Sequence, residues 1–403
     1  MSKSKNRAET TDWILVVVIA ALLVFGMMAL YSVTLSTYIA DSFFTRQLGW
    51  IGAGLLVGLV TYLVPYTVWE KFATPLMALT LILLALTLLF AKSGLGGVVA
   101  DDGLGGQPRH LGTILGIGNS GQPGVLARLV AVIYIAAWLA SKGDQLSKVL
   151  LGLLPFGVIL GLVGGFVVLQ PDLSTAFLIV VTGIAMFYFA GGDPIQIVLS
   201  GLVSAGTFVF LALNLSYARA RLEGYMDAWS DPAKMPYHVQ RAIEAISQGG
   251  ILGVGFGAGR MKFGYLPVAH TDSIFAVVAE ELGLVGCLFL IGLFALLAFR
   301  GYRIALATPD PFGSLVAFGV TTMILSEALV NILVMLGIFP PTGTALPFFS
   351  YGGTAMVITL GGLGLVLGIS RGRPKGDWDA ILDRWWGDGR ARVPGARRRS
   401  RVA

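Results

Sequence analysis

The sequence predicts an all-α polytopic membrane protein of about ten transmembrane helices, with both termini cytoplasmic and two long extracytoplasmic loops. Three observations carry that prediction. Apolar residues make up 56% of the 403 residues and charged ones only 12%, with a mean hydropathy of +0.80, whereas soluble domains carry about 25% charged residues. The apolar residues fall into runs close to the ~20 residues that a bilayer core requires. Positive charges in the short connections (Lys71, Lys142, Lys148, Arg300 and Arg303) alternate in the sense expected of an inside amino terminus.

Taken in order, residues 1–12 form a short polar cytoplasmic segment with Lys3, Lys5 and Arg7. The apolar run 13–33 is too long for a signal-peptide core and shows no cleavage site, so it reads as a signal anchor. Further spans are expected near 48–65, 73–91, 125–140, 149–169, 173–191, 195–214, 274–299, 314–339 and 353–370. An even number of spans returns the tail to the cytoplasmic side. The transmembrane domain is therefore 13–371 and the basic tail 372–403, with Trp378, Trp385, Trp386 and the run Arg397-Arg398-Arg399. Such a tail suits anionic lipid head groups. The net charge of +6 is concentrated at the ends, which argues against a nucleic-acid groove.

Two long loops fall on the outer side. Residues 92–123 are rich in Gly and carry Asp101, Asp102, Arg109 and His110; residues 216–270 carry Arg221, Arg260 and Lys262, with a short surface helix expected over 237–247. Loops longer than about 15 residues in a compact protein are often functional. The run GGILGVGFGAG (249–259) is not a phosphate loop: no Gly-Lys-Ser/Thr closes it, and Arg260 stands where the motif needs Gly. Its glycines are expected to permit turns and close packing.

The stretch 262–286, KFGYLPVAHTDSIFAVVAEELGLVG, concentrates His270, Thr271, Asp272, Glu280 and Glu281 at the mouth of an apolar segment. Ionisable groups at membrane depth are costly and point to function. Thr271 or Asp272 could equally cap the helix that begins near Ser273. Glu280 lies roughly 12 Å along the helix and about 80° round from Asp272, and Glu281 faces nearly the opposite way. At most one of the two glutamates therefore shares a pocket with Asp272. Asp172, after Gln170-Pro171, has the chemistry of a helix start. Glu327 and Asn331 lie on one helix face inside a span, where an interhelical hydrogen bond is expected. The segment 340–353 is a stiff loop expected to wall a cleft open to the outside and to lipid. Cys287 stands alone, so there is no internal disulfide. His110, His238 and His270 lack metal-ligand spacing, so no metal site from protein ligands alone is expected.

These motifs resemble the SEDS family (shape, elongation, division and sporulation), which includes the FtsW, RodA and SpoVE branches. YLPVAHTDSIFAVVAEELGLVG matches its signature. ALYSVT, FFTRQLGW, GQPGVLARLVAVIYIAAWLA, LQPDLSTA, ARLEGYMDAWSDP and NILVMLGIFPPTGTALPFFSYGG occur in family order, over about residues 13–371. Spacing in AWSDP and PFFSYGG is nearer the FtsW branch. The resemblance implies a ten-helix bundle in the bacterial cell membrane that polymerises lipid II into glycan strands, a peptidoglycan glycosyltransferase. It implies Asp272 as general base and a class B penicillin-binding protein as partner, among other division or elongation proteins. Candidate contacts for pyrophosphate or sugar are Arg221, Arg128, Arg109 and Lys262, with His270, Thr271, Glu280 and Ser350. No cofactor is expected apart from a divalent cation, Mg or Mn, that could share the pyrophosphate charge.

The chain departs from the family pattern at several positions. Ser273 replaces a usual Phe. QPSELAK reads Gln122 to Arg128, with Val125 for Glu and Arg128 for Lys. Glu327 replaces a Gln, QPDLG reads QPDLS, and Arg109-His110 is the nearest match to an expected Arg-Trp pair. These departures bear on donor-side contacts more than on Asp272. Two other functions compete: a flippase for polyprenyl-linked precursors, to which Glu327 and Asp172 would be essential, and a scaffold without chemistry.

Overall fold

A computed structural model of the chain describes residues 11–35, 40–93, 122–230, 235–267 and 269–372. Among these residues there are twelve α-helices and no strand. They are α1 Trp13–Thr34, α2 Ala40–Leu63, α3 Tyr66–Ser93, α4 Pro123–Lys142, α5 Leu154–Leu169, α6 Leu173–Phe189, α7 Pro194–Asn214, α8 Ser216–Ser230, α9 Tyr237–Gly249, α10 Ile274–Ala307, α11 Pro311–Met335 and α12 Gly353–Ser370. Among the described residues nine apolar segments are long enough to cross a bilayer, and α6 is a shorter apolar helix in the same series. Each expected span is present as a helix. Residues 94–121, with Arg109 and His110, and 373–403 lie outside the described residues.

Helix starts follow from local chemistry. Asp12, Asp172, Asp193 and Asp310 accept bonds from free N–H groups of α1, α6, α7 and α11, at 3.0 Å from Leu15 N, 3.0 Å from Thr175 N, 2.8 Å from Ile195 N and 2.9 Å from Gly313 N. Proline opens α4, α7 and α11, where its missing N–H has no partner to lose. Small residues let helices approach where lipid supplies no hydrophobic drive. A Cβ on Gly364 of α12 would stand 2.1 Å from the carbonyl of Gly58 on α2, and Thr61 Oγ1 donates to Gly361 O at 2.8 Å.

The bundle has two distinct ends. At one, Asp12 pairs with Arg300 Nε at 3.0 Å and its N–H donates to Ser370 Oγ at 3.3 Å. The start of α1, the last turns of α10 and the end of α12 thus meet. The start of α10, with Asp272, lies at the other end.

The loop expectation for 216–270 is corrected in two respects. Residues 216–230 are helical, with Arg219 Nε bonded to Glu223 Oε1 at 2.6 Å on successive turns; the lack of an apolar stripe hid this helix. The helix expected over 237–247 runs to Gly249 and is not simply superficial, since Val239, Ala242 and Ala245 are buried.

Helix α10 is broken at Gly283, whose φ of 63° is non-helical. The 249–259 run fills the break. Its Val254 and Gly255 N–H groups donate to Glu280 O and Glu281 O at 3.0 Å, and Leu284 N returns a bond to Gly250 O at 2.9 Å. The approach is backbone on backbone: a Cβ on Gly253 would lie 2.1 Å from Glu281 O, and one on Gly249 2.0 Å from Ala279 O. The glycines pack closely, as their spacing led us to expect.

Candidate active site

Three successive carbonyls of the His-Thr-Asp segment are tied to α11 and to the loop before α12. Tyr351 N donates to His270 O at 2.8 Å, Ser350 Oγ to Thr271 O at 2.7 Å, and Asn331 Nδ2 to Asp272 O at 2.9 Å. Asn331 Nδ2 also donates to Thr344 O at 2.7 Å. Gln47 of α2 holds the same loop from the other side, through Ser350 O and Gly352 N at 3.4 Å each. Phe348 adopts a left-handed φ of 71°. Its carbonyl presses so close to α1 that a Cβ on Gly26 would lie 2.3 Å from it. The 340–353 segment, expected as a cleft wall, packs into the bundle here, with Phe348 and Phe349 buried.

This stitching leaves the Asp272 side chain free of the backbone. The cap alternative is corrected: Ser273 is the N-cap of α10, with no side-chain cap bond. Asp272 is half-buried, and burial pushes its carboxyl up to about 6, partly offset by the positive field of Arg221. Arg221 on α8 is half-buried and also acts on His238, which burial and that same charge hold below the usual imidazole range. His270 stacks on Phe43 with ring centroids 4.9 Å apart, Tyr351 meets Phe43 edge-on at 5.0 Å, and burial lowers the His270 pKa.

Several expected substrate contacts are placed elsewhere. Lys262 is buried and donates to Ser32 Oγ at 2.7 Å, Gly257 O at 2.9 Å and Glu281 Oε1 at 2.7 Å, so all three ammonium protons are used. Its reading as a pyrophosphate ligand is corrected. Glu280 is also corrected: it is buried and accepts from Arg260 N at 2.6 Å and Met261 N at 3.1 Å. Both glutamates therefore hold the loop at the α10 break, and neither shares the Asp272 pocket. Ser350 uses its hydroxyl on Thr271 O and on Leu346 N, the latter at 2.7 Å, which corrects it to a structural residue.

Arg128 is buried and pairs with Glu327 at 2.7 Å, so its charge is answered inside the bundle and not offered to a substrate. Glu327 ties α11 to α4 through Arg128, whereas Asn331 bonds no helix and instead holds the carbonyls of Asp272 and Thr344 in the flanking loops. Asp172 caps α6 and accepts from Gln122 Nε2 at 3.2 Å. Arg221, His270 and Thr271 remain beside Asp272. Sequence reasoning did not single out Ser32 or Gln47; each is one polar residue in or beside an apolar run, and only their contacts reveal a role.

These features define a polytopic helical membrane protein presenting a half-buried carboxylate at one end of its bundle. The FTSW_RODA_SPOVE family model, described as a cell cycle protein, matches residues 12–375. The chain belongs to this FtsW/RodA/SpoVE family. It is 34% identical over 372 residues to a probable peptidoglycan glycosyltransferase FtsW of Trichlorobacter lovleyi, covering 91% of this chain and 94% of that one. It is 34% identical over 375 residues to the stage V sporulation protein E of Bacillus subtilis, covering 91% and 98%. Among solved structures it superposes on a chain from a peptidoglycan synthase complex that coordinates polymerization and crosslinking, with a TM-score of 0.72 at 31% identity, covering 91% and 99%. It also superposes on the rod shape determining protein RodA of Thermus thermophilus, with a TM-score of 0.66 at 27% identity, covering 91% and 99%.

Proposed function

We propose that the protein is a peptidoglycan glycosyltransferase that polymerises lipid II into glycan strands in the bacterial cell membrane, during division or elongation. The relatives' names support the activity. The observation that carries the site is the isolation of one carboxylate. Glu280, Glu281, Glu327 and Asp172 all accept hydrogen bonds or pair with a cation. Asp272 differs from these four: no donor among the described residues meets its carboxylate, and it carries a raised pKa outside the spans. A base with a pKa near the working pH is the efficient one.

In this reading Asp272 removes the proton from the acceptor sugar's 4-hydroxyl. The hydroxyl oxygen forms its bond to the donor's anomeric carbon, and the bond to lipid pyrophosphate breaks with inversion. The departing charge needs preorganised positive charge. Arg221 is the described cation best placed for it, and Arg109 of the first loop is a further candidate. No group of three metal-ligating side chains occurs among the described residues. A divalent cation would therefore draw its ligands mainly from the pyrophosphate, with Asp272 as the nearby free carboxylate. An apolar groove of about 470 Å³ between α1 and α2, edged by Phe44 and Phe256, suits a lipid-linked substrate. The end that joins Asp12 to Ser370 is cytoplasmic and the Asp272 end external. The partner is a class B penicillin-binding protein with transpeptidase activity.

Lipid II polymerisation by the purified protein with its partner, comparing wild type with Asp272→Asn, tests this. Glycan strands from wild type and none from the folded, partner-bound variant are expected. Equal rates would remove Asp272 from the chemistry. If neither makes strands, a reconstituted flipping assay puts the transporter reading to the test.

A further inference from the structure

Asn331 lies on α11 one turn beyond Glu327 and is almost wholly buried, at 1% exposure. Its two amide protons go to two carbonyls, Asp272 O and Thr344 O, at 2.9 and 2.7 Å. Both neighbours are acceptors, so the amide nitrogen must face them. Its Oδ1 is then left buried without a partner. An unpaired buried oxygen is unfavourable, so this orientation is not what interhelical satisfaction alone would select.

One nitrogen thus holds the two carbonyls together. Asp272 carries the carboxylate, and Thr344 follows Gly343. A Cβ on Gly343 would lie 3.7 Å from Asp272 Oδ2, and it meets nothing else within 4 Å. Gly343 is itself exposed, so the loop that covers this side of the carboxylate lies at the surface. The hydroxyls of Thr342 and Thr344, 2.9 Å apart, tie the loop to itself across Gly343. The Asn331 amide thus sets how far the Gly343 backbone stands from the Asp272 carboxylate.

We infer that Asn331 is a positioning residue for Asp272, holding Gly343 over the carboxylate at a spacing that admits an incoming hydroxyl and keeps bulk water away. The inference rests on the reading of Asp272 as the base. Among the described residues, the other ionisable groups of the neighbouring elements are held as follows. Arg221 faces it from α8. His270, in its own loop, stacks on Phe43. Glu280 and Glu281 of α10 are held by the 257–262 loop, and Glu327 of α11 is paired with Arg128. Changing Asn331 therefore alters the hydration of the carboxylate and not the charge beside it.

The test is the pH profile of kcat/KM for lipid II polymerisation by the partner-bound protein, with folded protein measured in parallel. Asn331→Ser releases the loop and lets water reach the carboxylate. Its acid limb moves down by about one pH unit, and its rate per folded molecule falls about tenfold or more. Gly343→Ala burdens no other neighbour and leaves thermal stability unchanged near pH 4, where Asp272 is protonated when folded. Its methyl displaces water from the carboxylate, so the acid limb moves up and the rate falls by about tenfold. Should Asn331→Ser fail to fold, Gly343→Ala alone decides. An unshifted limb in either folded variant overturns the inference. Unshifted limbs with an inactive Asp272→Asn leave Asp272 as base and remove only the clamp. Equal rates for Asp272→Asn and wild type remove the base reading, and the clamp with it.

Discussion

Lys262 Nζ meets Glu281 Oε1 at 2.7 Å, with both side chains almost wholly buried. Ser32 of α1 joins them, donating to the same carboxylate oxygen at 2.5 Å. The pair thus ties α1 to the loop that fills the α10 break. Breaking a buried pair leaves an uncompensated charge and costs about 3–5 kcal/mol. Lys262→Ala should lose that much stability in thermal unfolding, while the folded fraction keeps its specific activity. Adding Glu281→Gln should recover part of the loss. Full stability with lost activity would return Lys262 to the substrate.

Gly283 makes a second prediction at the same junction. Its φ of 63° and the 2.3 Å that would separate a Cβ from Gly253 N leave no room for a side chain. Gly283→Ala should cost more than about 3 kcal/mol, because strain and backbone displacement add. Gly292→Ala on the same helix is the control, since a Cβ there meets nothing within 4 Å. Its effect should be neutral or slightly stabilising. Gel-filtration yield and melting temperature read both.

The raised pKa of Asp272 ties activity to stability. A carboxyl shifted from 3.8 to about 6 binds more protons folded than unfolded between those values. Stability is therefore full below the unfolded pKa and is lost as pH rises through the folded one. At pH 7 and above the ionised group costs up to about 3 kcal/mol. Asp272→Asn should be inactive yet melt higher than wild type at pH 7.5, with the difference vanishing near pH 4. Equal melting at pH 7.5 would contradict the burial that raises this pKa.

Arg221 lowers the pKa of Asp272 against that burial. Arg221→Gln removes the positive field, so the acid limb of the pH–rate profile should move up. The Michaelis constant for lipid II should also rise by about tenfold if the guanidinium meets pyrophosphate. A limb that moves down would place Arg221 outside the Asp272 pocket.

Much of the architecture was legible because it depends on local chemistry. The apolar runs near bilayer length marked each expected span, and the aspartate before α6 marked its start. The aspartate of the His-Thr-Asp segment stood out as an ionisable group at a span's mouth. Less legible was α8, because a polar helix without an apolar stripe carries no periodic signal. Roles assigned by charge alone failed most often. Lys262, Arg128 and Glu280 look like substrate ligands in a sequence, since an ionisable residue reads the same whether it faces a cleft or a counter-charge.

By itself the sequence determined the membrane class, the order of the spans, the glycines that allow backbone to approach backbone, and the candidacy of Asp272. Only the tertiary structure decided which charges cancel. It brings Lys262 to Glu281 across 19 residues and Arg128 to Glu327 across two helices. It also brings Asn331 to the carbonyl of Asp272 across 59 residues. The physical reason is that the worth of a charge in a low-dielectric interior depends on distances of a few ångströms to its neighbours. Packing sets those distances between segments far apart in the chain.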